Sequence, residues 1–184
     1  MEKPMEEIYK YHAVIGLLDE NSQNIFHTLW RQLAAKGLES RDAAEGLPPH
    51  VTFGIYEGLT DETLLSWVEA FSIKEDQLAV SFNHIGTFTN QAVFLAPRVS
   101  EELLAFHRRY HSRLEEYHGQ TGWLFTLSSG EWVPHATVMH NSPEENKAAV
   151  PLIMERFAPF KAKIEALAVY KFYPSCRLAI FPLK

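Results

Sequence analysis

Two stretches of this 184-residue sequence carry an imidazole and a hydroxyl two positions apart: Pro49-His50-Val51-Thr52 and Pro134-His135-Ala136-Thr137. Two imidazoles in one cleft suit acid–base chemistry, because the unperturbed pKa of histidine lies at about 6.5. A neutral ring accepts a proton while a charged one donates. Attack on a phosphodiester needs that division. The attacking oxygen loses a proton, the leaving oxygen gains one, and charge on the phosphoryl oxygens must be held. The threonine hydroxyls are the groups to hold it. His50, Thr52, His135 and Thr137 are therefore the candidate catalytic set, and the scheme calls for no metal and no other cofactor. A single His-x-Thr triplet arises easily by chance, and its structural reading is a satisfied strand histidine. The matched proline before and threonine after, in both stretches, argue against chance.

Each motif must sit on a strand. The proline fits a strand start, and the apolar residues that follow, Phe53 to Tyr56 and Val138 to Met139, continue it. Strict alternation puts His50 and Thr52 on one face, with Val51, Phe53 and Ile55 on the other. It carries the polar face on to Tyr56 in the first copy and Asn141 in the second, which become candidate substrate contacts. It sends His140 to the face opposite His135, out of the catalytic set. Trp132, just before the second motif, either stacks on a base or packs at the strand entrance.

Taken in order, the chain alternates these strands with helices. His12–Leu18 reads as a buried strand, followed by a helix with Ile25, Phe26, Leu29, Trp30 and Leu33 that stops at Gly37. A polar loop spans Glu39–Gly46. After the first motif come a helix capped by Thr60, with Leu64, Val68 and Phe71 inward, and strands at Leu78–Thr87 and Ala92–Pro97, with a turn at Asn90. Ser100 caps a third long helix, with Leu103, Tyr110, Leu114 and Tyr117 on one side. A loop at Gly119–Gly130 leads to the second motif. The capping box Ser142-Pro143-Glu144-Glu145 opens the last helix, and Lys163–Tyr173 and Arg177–Phe181 are the final strands. The motif offset of 85 residues also relates Pro97 to Pro182, and Val93–Leu95 to Leu178–Ile180. That indicates an internal duplication, roughly 10–97 and 91–184, within one bilobal domain.

Composition narrows the function classes. The net charge of −6 argues against broad binding to long nucleic acid. No segment approaches the ~20 apolar residues of a membrane span, and Met1–Glu7 lacks the core of a signal peptide. The single Cys176 rules out an internal disulfide and fits a reducing compartment, so a cytoplasmic protein is expected. His107, Arg108, Arg109, His111, Arg113 and His118 make one helix basic. They read as a solvated face, with a phosphate-attracting patch or an i, i+4 metal pair as functional alternatives. Asn83 and His84 read as core hydrogen-bonding residues.

The paired Pro-His-x-Thr tetrads on a repeated lobe resemble the two-histidine phosphoesterase superfamily, which includes 2′-5′ RNA ligase-like proteins and cyclic phosphodiesterases. The resemblance spans nearly the whole chain. It implies an α+β fold of two pseudo-symmetric lobes, each an antiparallel sheet with helices outside, around a central cleft carrying the motifs; terminal strands cross between lobes in such proteins. It implies metal-independent hydrolysis of a 2′,3′-cyclic phosphate of a small nucleotide or RNA end, or 2′-5′ RNA ligation. RNA-acting relatives often carry an arginine shortly after the second motif, where this chain has Met139-His140-Asn141. A rival of another class is a non-catalytic phosphate- or nucleotide-binding module.

Overall fold

One strand of 13 residues, Phe160–Phe172, joins the two halves of the sheet. The computed structural model describes residues 9–89 and 91–184; Asn90 and Met1–Glu7 lie outside them. The strands in chain order are β1 (Tyr11–Leu18), β2 (His50–Tyr56), β3 (Leu78–Phe88), β4 (Ala92–Pro97), β5 (Ala136–Met139), β6 (Phe160–Phe172) and β7 (Cys176–Pro182). All pairings are antiparallel, in the order β2-β1-β6-β3-β4-β5. The first part of β6 pairs with β3 between Phe160 and Ile164, and the rest pairs with β1 from Ile164 to Phe172. β7 takes the other edge of β6 between Ala166 and Lys171. The expected lobes are thus two halves of one hydrogen-bonded sheet. β1, β2, β7 and most of β6 build one half, and β3, β4 and β5 build the other, so the halves in space are not the two sequence repeats.

Five α-helices among the described residues, α1 (Glu20–Ala34), α2 (Arg41–Ala44), α3 (Asp61–Ser72), α4 (Glu101–Tyr110) and α5 (Pro143–Arg156), complete the fold. Caps set their starts as the sequence indicates. Asp19, Thr60, Ser100 and Ser142 each accept a backbone N–H from the first turn. Phe26, Leu29 and Leu33 are the buried stripe of α1, while Ile25 faces outward. Leu64, Val68 and Phe71 bury α3 as expected. In α5 the buried side chains are Asn146, Ala149 and Ile153, with Leu152 and Phe157 only partly covered. The polar loop at Glu39–Gly46 contains α2, a single turn too short to show periodicity. α4 ends at Tyr110, so Tyr117 sits in a separate 3-10 turn and is exposed. Asn83 and His84 are exposed on β3, not core residues.

Both motif strands bulge. Along β2, Val14 pairs with Gly54 and Ile15 with Thr52, which leaves Phe53 as the extra residue. Along β5, Val93 pairs with Met139 and Phe94 with Thr137, which leaves Val138 extra. Phe53 and Val138 are separated by the repeat offset of 85, so the bulge is duplicated with the motif. A bulge residue loses its ladder partner. Here each freed carbonyl finds another donor: His111 Nε2–H reaches Phe53 O at 2.6 Å, and Trp30 Nε1–H reaches Val138 O at 2.9 Å.

The β1–β2 contact is close. A Cβ added at Gly16 would lie 2.6 Å from Phe53 Cε2 and 2.8 Å from Ile164 Cγ2. Gly16→Ala is therefore expected to lower the unfolding free energy by about 1–3 kcal/mol through overpacking, measured by urea denaturation.

Candidate active site

The two motif histidines are held alike. His50 opens β2 and donates Nδ1–H to Pro48 O at 2.7 Å, while His135 just precedes β5 and donates Nδ1–H to Val133 O at 2.7 Å. A carbonyl only accepts, so Nδ1 carries the proton and Nε2 of each neutral ring keeps its lone pair for chemistry. β2 and β5 end the strand order, yet the curl of the sheet brings them together. Trp132 ties them, its Nε1–H meeting Thr52 O at 3.1 Å. Burial pushes the basicity of His135 below that of a free imidazole, and a charge on the nearby His50 pushes it the same way. The His135 ring also packs on Phe88 and Phe94, at centroid distances of 4.8 and 5.0 Å. Thr52 and Thr137 are both partly exposed, as alternation requires.

Beyond the threonines the bulges invert the faces, and this corrects the expected rim. Tyr56 is fully buried among the core aromatics, 6.4 Å from both Tyr110 and His111 by ring centroids. Ile55 takes the cleft face in its place. In the second copy Asn141 is committed to structure, its side-chain amide donating to Glu39 O at 2.9 Å and Glu145 Oε1 at 3.2 Å. His140 turns toward the cleft instead. Trp132 is a packing residue, its ring stacked on His107 at 3.6 Å with 5° between planes, so one of its faces is already taken.

A pocket of about 270 Å³ opens beside His50. His50, Thr52 and His140 line it, over an apolar floor that includes Ala13, Ile15, Leu47 and Ile55. Tyr11 and Tyr173 stand at one end, their rings 5.9 Å apart and edge to face. α2 supplies Arg41 and Asp42, and the residue that caps its end supplies Glu45. These three, with His140, are the site features that alternation and periodicity missed. The duplicated bulge is written in no single residue type, and a one-turn helix has no pattern to detect. A larger groove of about 1370 Å³ lies elsewhere, between β3, β6 and α4, away from both motifs.

Residues 19–173 match the model of the 2′-5′ RNA ligase superfamily. The chain belongs to that superfamily. Solved structures with a similar fold include a protein described as a phosphoesterase (14% identity, 96% of this chain and 99% of that one, TM-score 0.64). Escherichia coli LigT complexed with 3′-AMP shares 13% identity over 96% and 98% of the two chains, with a TM-score of 0.62. The protein TT0787 of Thermus thermophilus shares 14% identity over 94% and 97%, with a TM-score of 0.61. At such identities they establish the α+β antiparallel fold. No curated protein matches the sequence. Among the described residues, no helix is long and apolar enough to cross a membrane, and no group of three or more histidine, cysteine, aspartate or glutamate side chains is placed to hold a metal ion.

In this superfamily member the basic run is a solvated face only through Arg108, Arg109 and Arg113, which are exposed. His107 and His111 are buried at 2% exposure each, and both stay neutral because burial opposes their charge; His107 is pushed down to about 3. Each donates Nε2–H to a backbone carbonyl, His107 to Phe125 O at 2.9 Å and His111 to the bulge carbonyl of Phe53. They therefore support β2 from behind.

A histidine with a lowered folded pKa binds fewer protons folded than unfolded, so its stabilisation is present above pH 6.5 and is lost as pH falls toward the folded value. The carboxylates with lowered values, such as Asp61, act in the same direction, but only near and below their ordinary 3.8 to 4.5. His140, raised by Asp42, acts in the opposite sense. Thermal stability is expected to fall from about pH 6.5 to about 4.5 in the wild type. His107→Gln, which keeps a donor but not the titration, should flatten that decline in melting experiments across the same range.

Proposed function

We propose that this chain is a metal-independent phosphoesterase that hydrolyses a 2′,3′-cyclic phosphate, or a related diester, of a small nucleotide or RNA end. The observation that carries the reading is the matched pair of imidazoles, each fixed through Nδ1 to a carbonyl two residues back and each leaving Nε2 for proton transfer. Family membership supports it. So does a neighbour of the same fold complexed with 3′-AMP, a nucleotide carrying its phosphate on the ribose.

His135, kept neutral by burial and by its partner, suits the general base. Its Nε2 takes the proton of a water as that oxygen bonds to phosphorus. The bond from phosphorus to a ribose oxygen breaks, and His50 gives its Nε2 proton to that oxygen. The Thr52 and Thr137 hydroxyls donate to the non-bridging oxygens, where negative charge accumulates. The apolar floor beside His50 takes the nucleoside, with Tyr11 and Tyr173 at its end. Exchange of protons with solvent resets the pair.

The superfamily description favours one second reading, 2′-5′ RNA ligation, in which the 5′-hydroxyl of an RNA replaces water at the base. Incubation with RNAs bearing 2′,3′-cyclic phosphate and 5′-hydroxyl ends separates joining from hydrolysis.

His50→Ala and His135→Ala are each expected to lower kcat at least about 10²-fold while leaving the fold intact. Assays on a panel of nucleoside 2′,3′-cyclic phosphates and short RNAs read this directly, and wild-type-like turnover by either variant would overturn the mechanism. Binding of nucleotides without any turnover by the wild type would instead mark a binding module. Activity should be bell-shaped in pH and indifferent to EDTA. Its acid limb should lie below pH 6.5, because His135 must lose its proton to act and its pKa is lowered from that value.

A further inference from the structure

His140 stands apart from the motif residues, yet it lines the same pocket as His50 and Thr52. The bulge at Val138 puts it there. In the first copy the same slot holds Ile55, so the second copy alone sends an imidazole to the cleft at this level. α2 docks on His140 through two bonds. Arg41 N–H meets His140 O at 3.0 Å, and the neighbouring Asp42 Oδ1 lies 3.0 Å from His140 Nδ1. The Asp42 side chain is 17% exposed and that of His140 is 41% exposed, so the carboxylate is set back and the ring looks outward. With Nδ1–H given to Asp42, Nε2 is the ring's remaining polar atom.

We propose that His140 is a substrate-binding residue whose Nε2–H donates to a non-bridging oxygen of the phosphoryl group seated at His50 and Thr52, with Asp42 as the residue that positions it. The proposal rests on reading this cleft as a phosphoesterase site. Its chemistry is a charge-assisted hydrogen bond to an anion, supplied by an imidazolium instead of a permanent cation. Asp42 raises the basicity of His140 above that of a free imidazole, first through the hydrogen bond and then through its charge, against an opposing burial cost. The other charged and titratable groups around the ring are Arg41 of α2, Glu45 just past its end, His50 of β2, Tyr11 of β1, and Tyr173 beyond β6. Arg41 opposes protonation and Glu45 favours it.

Substrate affinity then depends on a proton. KM stays low while His140 is charged and rises as pH passes its raised pKa. This is separable from the His50–His135 pair, whose loss lowers kcat. His140→Gln is expected to lower kcat/KM for a nucleoside 2′,3′-cyclic phosphate roughly tenfold, with a raised KM and a loss of kcat well short of that in His50→Ala. His140→Arg should recover the affinity and abolish the alkaline rise in KM, since guanidinium does not titrate in this range. Asp42→Asn should move that rise to lower pH. An unchanged KM in His140→Gln, or an alkaline rise that persists in His140→Arg, would overturn the proposal.

A second measurement needs neither turnover nor a variant. Inorganic phosphate is titrated into the wild-type chain while the His140 ring protons are followed by NMR. The His140 pKa should rise on saturation, and a His140 that titrates identically with and without phosphate overturns the assignment. If no diester is turned over but phosphate still shifts His140, the phosphoesterase reading fails while the anion contact stands.

Discussion

The site depends on where each motif strand gains its extra residue. A strand alternates faces strictly, and one bulge exchanges the faces for everything that follows. Here the bulge comes one residue after the threonine in both copies. Upstream of it, histidine and threonine share the cleft. Downstream, the large Tyr56 side chain drops into the core and the next cleft position passes to Ile55 or His140. A bulge survives only if the carbonyl it frees is satisfied, since an unpaired buried acceptor costs about 1–3 kcal/mol. Trp30 and His111 meet that requirement, each from a helical region before the other motif. The aromatic packing behind β2 therefore maintains the ladder defect that shapes the cleft.

Burial lowers the basicity of each of these histidines, and the partner decides whether that holds. His107 and His111 are buried, and their carbonyl partners do not offset that burial, so the neutral form prevails and they serve as donors. His135 has one carbonyl partner and another imidazole nearby, so it also resists charge, but with Nε2 unengaged. His140 has a carboxylate, and that reverses the balance. The same side chain acts as a structural donor, a candidate base and a candidate anion holder in one small protein. In each case the partner of one ring nitrogen decides what the other can do.

Much of this was legible in the residues. The paired tetrads, their strands and the caps at Thr60, Ser100 and Ser142 follow from local rules that the structure obeys, and the antiparallel α+β fold is what the family resemblance implied. What alternation misplaced lies beyond the bulges: Tyr56 and Asn141 went to the rim on paper, and His140 was sent to the back. Register is a property of two strands, and the partner residues Val14–Ile15 and Val93–Phe94 are far away in sequence. The basic run at His107–Arg113 reads as a wet face because its charges are counted. Its two histidines are in fact the buried members, and Trp132 covers one of them. α2, too short for any periodicity, went unseen although it brings Arg41 and Asp42 to the pocket.

The shared strand β6 has a consequence for how the chain is made. β3, β4 and β5 come from residues 78–139 and pair among themselves once that stretch exists, leaving only the first part of β3, which the start of β6 later takes. β1 and β2 pair with each other early, but the other neighbour of β1 is residues 164–172, more than a hundred positions later. During synthesis from the N-terminus, the half that bears His50 waits as an exposed two-stranded ribbon, β1 joined to β2 through α1 and α2, while the half that bears His135 pairs its own strands. The wait leaves an apolar strand, Ala13 to Leu18, with an open edge that invites wrong partners. The arrival of β6 covers that edge and joins the halves in one event, so the cleft comes into being late and all at once.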